Sequence, residues 1–143
     1  MLNNLIIERQ FLPSSLRHQW VSCSNIMKHI LTVDDNALDC ILIYIYLVRL
    51  GFLVTVCHTV MDAINSMTIR KVDVLIVDLQ MPDISGFELI ENIRKKDKDI
   101  PIIVISAYDA EFEKQKAFQL GATYYIVKPY TKQDIEQVFK QYL

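Results

Sequence analysis

Residues 74–78, VLIVD, constrain this chain more than any other stretch. Val74, Leu75, Ile76 and Val77 form an unbroken, largely β-branched run that stops at a lone carboxylate, Asp78. A continuous apolar run bounded by turn residues is the pattern of a strand buried on both faces. Pro82 and Gly86 follow and end regular structure. The run therefore sets an Asp at the carboxyl end of a central strand, the edge at which open α/β sheets bind ligands. An isolated Asp there is also an ordinary turn residue, so the remaining strand ends decide between the two readings.

Before residue 28 no periodicity is sustained, and Pro13, Ser14 and Ser15 interrupt what little there is. The expectation is an amino-terminal extension over 1–27, poorly structured or packed on the domain, with Met27 a candidate natural start. From residue 28 strands and helices alternate. Strands are expected at His29–Val33, Phe52–Cys57, Val74–Val77, Ile102–Ile105 and Tyr124–Val127. The intervening helices are about 37–50, 61–69, 86–96, 110–120 and 132–142. Asn36 or Asp35 can cap the first, Ser85 with Glu88 the third, Asp109 the fourth and Thr131 with Asp134 the last. Gly51 and Gly121 suit helix ends. Five such units predict an α/β domain over 28–143, a doubly wound five-stranded parallel sheet of flavodoxin-like topology with right-handed crossovers. With the fifth helix complete, no appended output domain is expected.

Composition excludes several classes. At 143 residues and 52% hydrophobic content, the chain can bury the core of one domain. A formal charge of −2 gives no general attraction to nucleic acid or anionic membranes. The longest apolar run, Cys40–Val48, has nine residues, against about 20 for a membrane span. The amino terminus lacks the pattern of a signal peptide. Cys23, Cys40 and Cys57 are odd in number and without CxxC spacing, which fits free thiols in the cytoplasm.

The predicted strand ends collect Asp34 and Asp35 from the first strand, Asp78 from the third, Ser106 from the fourth and Lys128 from the fifth. A parallel sheet brings these to one edge. Clustered carboxylates raise one another's pKa unless a cation is present, and hard oxygen donors in a partly open site suit Mg²⁺ or Mn²⁺. A metal beside one Asp, flanked by a Lys and a hydroxyl, is equipment for phosphoryl transfer to a carboxylate, with Asp78 as the nucleophile.

At these residues the chain resembles the receiver domain of bacterial two-component response regulators, over residues 28–143. The resemblance rests on ILTVDDN, VDLQMPDISG, IIVISA and GATYYIVKPY, with the DxxMPxxxG pattern of Asp78, Met81, Pro82 and Gly86 the most specific. It implies that Asp78 accepts the phosphoryl group. It also implies that Asp35, Asp78 and the backbone carbonyl of Gln80 bind Mg²⁺ directly, and that Asp34 does so through water. Ser106 would supply the hydroxyl that swings toward the phosphoryl group, Lys128 would pair with a phosphoryl oxygen, and the bond to Pro129 would be cis. Tyr125 would be the switch aromatic, turning inward as Ser106 moves. The implied protein is a phosphoacceptor that catalyses only its own phosphotransfer and dephosphorylation. Its donor is a histidine kinase or histidine phosphotransfer domain docked on the first helix. It reads out through helix four, strand five and helix five to an effector not specified by the sequence, binds neither nucleic acid nor membrane, and is compatible with a homodimer.

Two departures from the family pattern carry information. The first helix, ALDCILIYIYLVRL, is apolar on nearly every side. If Leu42, Ile43, Tyr46, Leu47 and Leu50 face the sheet, Cys40, Ile41, Tyr44, Ile45 and Val48 face outward, as a docking surface or under the amino-terminal extension. Gln80 and Tyr108 border the site, where they can screen or orient water. Other classes fit less well. An aspartate-nucleophile phosphatase would carry a second acid where Gln80 stands, and a flavin-binding domain would need a phosphate loop where Asp34 and Asp35 stand. A receiver-like interaction module that is never phosphorylated is the remaining alternative.

Overall fold

The computed structural model describes residues 27–143, so the expected extension lies outside the described residues except for Met27. Five strands form a parallel sheet in the order β2-β1-β3-β4-β5. They are β1 (His29–Val33), β2 (Leu53–Cys57), β3 (Val74–Val77), β4 (Ile102–Ser106) and β5 (Tyr124–Val127). The helices are α1 (Ala37–Arg49), α2 (Val60–Ile69), α3 (Gly86–Lys96), α4 (Glu111–Gln119) and α5 (Lys132–Phe139), the last continued by a 3₁₀ turn at Lys140–Tyr142.

Alternation along the buried strands divides the core between the two faces. Leu31, Val33, Leu75, Val77, Ile102 and Val104 pack with Ala63 of α2, Leu89 and Ile90 of α3 and Ala117 of α4. Their neighbours Ile30, Val74, Ile76, Ile103 and Ile105 pack on the other face with Ile43 and Leu47 of α1 and Ile135 and Phe139 of α5. Both faces of β1, β3 and β4 are thus covered, which is why these strands are continuously apolar. Each Leu or Ile so buried contributes about 1.5–3 kcal/mol. Gly51 (φ 92°) and Gly121 (φ 108°) adopt the left-handed conformation that closes α1 and α4.

Three local expectations need correction. Asp109 does not cap α4. Ala110 holds the cap position without a side-chain bond, and Asp109 instead pairs with Lys114 at 2.6 Å. At α3, Ser85 accepts from the Glu88 N–H, whereas the reciprocal box is complete only at α5, between Thr131 and Asp134. On α1 the inward face is Cys40, Ile43 and Leu47, so Cys40 is buried and Leu42 is turned outward with Ile41, Tyr44, Ile45 and Val48. Cys40 lies on the same stripe as Ile43 and Leu47, which pack with Ile76 and Ile105 in the core, and its thiol donates to the Asp34 carbonyl at 3.2 Å. Asn36 caps α1 by accepting from the Leu38 and Asp39 N–H groups, which fixes the rotation of its first turn.

Candidate phosphoryl-acceptor site at the carboxyl edge of the sheet

Asp34 follows β1 and Asp78 follows β3, and the register of these adjacent central strands pairs Val33 with Val77. The two carboxylates are therefore neighbours, both buried. Each is oriented by a turn of its own chain. Asp34 Oδ1 accepts from the Asn36 N–H at 2.8 Å, and Asp78 Oδ1 accepts from the Gln80 N–H at 2.9 Å. Behind Asp78 the chain turns tightly into α3. A Cβ on Gly86 would lie 2.2 Å from the Asp78 carbonyl oxygen and 2.8 Å from Leu79 Cα, so only glycine allows this approach.

Lys128 reaches across from the end of β5. Its Nζ donates to Asp34 Oδ2 at 2.8 Å, Asp78 Oδ2 at 2.8 Å and Asp39 Oδ2 at 2.7 Å. The peptide bond from Lys128 to Pro129 is cis. Burial opposes the charge on Lys128, but the three carboxylates together outweigh it and raise its pKa above the ordinary lysine value. Burial raises the Asp34 carboxyl, with the Lys128 hydrogen bond the main opposing influence.

Asp39 is the member of this cluster that sequence reasoning missed. The available signal is its spacing: it stands one helical turn beyond Asp35, in the first turn of a helix that starts at the sheet edge. Tyr130 was also missed. It lines the same small cavity as Asp34, Asp39 and Asp78, and burial, followed by the nearby Asp39 charge, raises its hydroxyl pKa.

Asp34, Asp35 and Asp78 each offer a carboxylate oxygen, all within 4.8 Å of one another. With Asp39, this edge carries four carboxylates, three of them bonded to the ammonium of Lys128, an excess of three negative charges if all are ionised. An oxygen-only donor set of this charge, with buried Asp34 and Asp78 and exposed Asp35, fits a hard divalent cation. Ser106, fully buried at the end of β4, accepts from the Tyr108 N–H at 3.3 Å. Tyr125 turns to this side, and its hydroxyl donates to the Tyr108 carbonyl at 2.7 Å. Tyr124 points to the other face, toward Gln141. The cluster thus holds an oriented carboxylate beside a committed ammonium, with a hydroxyl and an aromatic nearby. That arrangement can stabilise charge on a group transferred to Asp78.

Comparison with known proteins finds relatives in sequence and solved structures of the same fold. Relatives include a probable transcriptional regulator, ycf27, of Cyanidium caldarium, 32% identical over 76% of this chain and 43% of its own length. Another is the heme response regulator HssR of Staphylococcus saprophyticus, 34% identical over 78% of this chain and 51% of its own. The chain therefore spans about half the length of the curated relatives it matches. Among solved structures, the Vibrio cholerae chemotaxis protein CheY4 superposes with a TM-score of 0.77 at 26% identity, covering 82% of this chain and 99% of its own. The response regulator TrrA of Thermotoga maritima, in complex with Mg(2+)-BeF, gives 0.73 at 31% identity, covering 82% and 100%. The family described as the response regulator receiver domain matches residues 30–140. With its fold, its strand-edge acidic cluster and these relatives in agreement, the chain belongs to the receiver domain family of two-component response regulators.

Proposed function

We propose that this receiver domain is a phosphorylation switch whose acceptor is Asp78, working with Mg²⁺ or Mn²⁺. The observation that carries this reading is Asp78 itself. It is buried, held at Oδ1 by a main-chain N–H and at Oδ2 by Lys128, and flanked by the carboxylates of Asp34 and Asp35. In the reaction an Asp78 oxygen attacks phosphorus of a phosphohistidine. The O–P bond forms as the P–N bond breaks, the electron pair remains on the imidazole nitrogen, and that nitrogen takes a proton. Lys128 neutralises charge on a phosphoryl oxygen, and Ser106 offers a hydroxyl to another. Asp35, Asp78 and the Gln80 carbonyl would hold the cation directly and Asp34 through water. The cation would neutralise charge on the phosphoryl oxygens, in line with the Mg(2+)-BeF complex of TrrA. The same groups would serve the domain's own dephosphorylation.

The donor, a histidine kinase or phosphotransfer domain, would dock on the outward apolar face of α1. Ile41, Tyr44, Ile45 and Val48 are all exposed there. Readout would use α4, β5 and α5, with Ser106 and Tyr125 coupling it to the site. Among the described residues no helix is long and apolar enough to cross a membrane, and a cytoplasmic location suits such a partner. The second reading, an interaction module that is never phosphorylated, is favoured only by the apolar α1 face.

Intact mass after incubation with acetyl phosphate separates the two. A single phosphoryl adduct that requires Mg²⁺ and is lost in Asp78→Asn supports the switch. Absence of an adduct in the wild type leaves the interaction module.

A further inference from the structure

An ammonium has three N–H donors, and Lys128 has given one each to Asp34, Asp39 and Asp78. The donor held by Asp78 Oδ2 can pass to the phosphoryl group once that group is attached, but the other two stay with Asp34 and Asp39, and a second phosphoryl oxygen can pair with Lys128 only by displacing one of these. Asp34 is not free to leave. Its side chain is 9% exposed and is pinned through Oδ1 to the Asn36 N–H. Asp39 differs on each count. Its side chain is carried by the first turn of α1 and is 31% exposed, so its carboxylate can exchange Lys128 for water by a side-chain rotation alone.

Resting on the proposed phosphoryl acceptance at Asp78, we propose that Asp39 is a positioning residue that competes with the phosphoryl group for Lys128 and so holds down the phosphorylated state. Two effects act in the same direction. Ionised Asp39 keeps a Lys128 donor that a second phosphoryl oxygen could otherwise take, and its charge repels the incoming anionic group. The competition occurs only in the pair Asp39 and Lys128, which are 89 residues apart in the chain. Asp39 touches neither phosphorus nor the attacking oxygen. It acts through the lysine.

The test uses beryllofluoride as the phosphoryl mimic, bound to the full chain at saturating Mg²⁺ and followed by ¹⁹F NMR. Saturating metal removes any contribution from a change in cation affinity. Asp39→Asn and Asp39→Ala should both bind beryllofluoride more tightly than the wild type, by roughly tenfold, the effect of one charge-assisted hydrogen bond. Asp39→Ala should be at least as tight as Asp39→Asn, since an amide oxygen still accepts from Lys128. A merely structural role for Asp39 would move the affinity the other way, because a disturbed site binds less well. Unchanged or weaker binding in both variants, with a wild type that binds, overturns the role of Asp39 and leaves Asp78 as acceptor intact. A wild type that takes up no beryllofluoride overturns the acceptor reading and this inference together.

Discussion

The Tyr125 hydroxyl donates a 2.7 Å hydrogen bond to the main-chain carbonyl of Tyr108, joining β5 to the loop that follows Ser106. That loop also receives Ser106, whose Oγ accepts from the Tyr108 N–H. Tyr125→Phe removes the tie and little else. It should cost about 1 kcal/mol of stability and speed amide exchange in residues 107–110, both readable by hydrogen exchange. Unchanged exchange there would mean that the loop is held by other contacts.

Lys128 is the only cation within hydrogen-bond reach of Asp34, Asp39 and Asp78 among the described residues. Lys128→Met leaves these largely buried carboxylates uncompensated, which should destabilise the fold by about 3 kcal/mol in EDTA. Added Mg²⁺ should narrow the gap from the wild type, because it supplies the missing positive charge. Thermal melts with and without metal check both parts, and a variant that melts like the wild type in EDTA contradicts the first.

Gly86 is set by a steric requirement, since a Cβ would collide with the Asp78 and Leu79 main chain and with Val77 Cγ1 at 2.9 Å. Gly86→Ala should therefore cost about 2–3 kcal/mol in urea unfolding and displace Asp78 enough to weaken acceptor chemistry. The same substitution at an open helix position would stabilise, so the sign of the effect is diagnostic.

On the outward face of α1, Ile41 is 56% exposed and Tyr44 44% exposed. Replacing both with Glu should leave stability within about 1 kcal/mol. If the donor docks on this face, transfer from a phosphohistidine donor should slow at least tenfold while reaction with acetyl phosphate is unaffected. Equal transfer rates would place docking elsewhere.

Asp97 accepts from the N–H groups of Asp99 and Ile100, at 2.8 and 2.9 Å, and these bonds hold its carboxyl below the ordinary value of 3.8. A folded-state pKa below the unfolded one means that the native state binds this proton less readily. The stabilisation is thus present above about pH 3.8 and is lost as pH falls through the folded value. A ¹³C titration should give Asp97 a midpoint below 3.8, and Asp97→Asn should flatten the acid limb of the stability curve. A midpoint at or above 3.8 contradicts the assignment.

Much of this protein was legible along the chain because strand and turn signals are local. The run Val74–Val77, the glycines at 51 and 121 and the proline after Lys128 place the elements. Once the strands are parallel, Asp34, Asp78, Ser106 and Lys128 must share an edge. Helix rotation is a different matter. The first helix is apolar on nearly every side, so its own pattern does not say which face turns in. Packing of Ile43 and Leu47 into the core settles it, with Cys40 on the same buried stripe and Leu42 turned outward. That same rotation carries Asp39 to Lys128. Ion pairing across 89 residues leaves no periodicity to read, because it depends on where two side chains end in space. The sequence by itself determined the sheet, its order of elements and the carboxylates at its edge, while tertiary packing alone decided that a fourth carboxylate joins them.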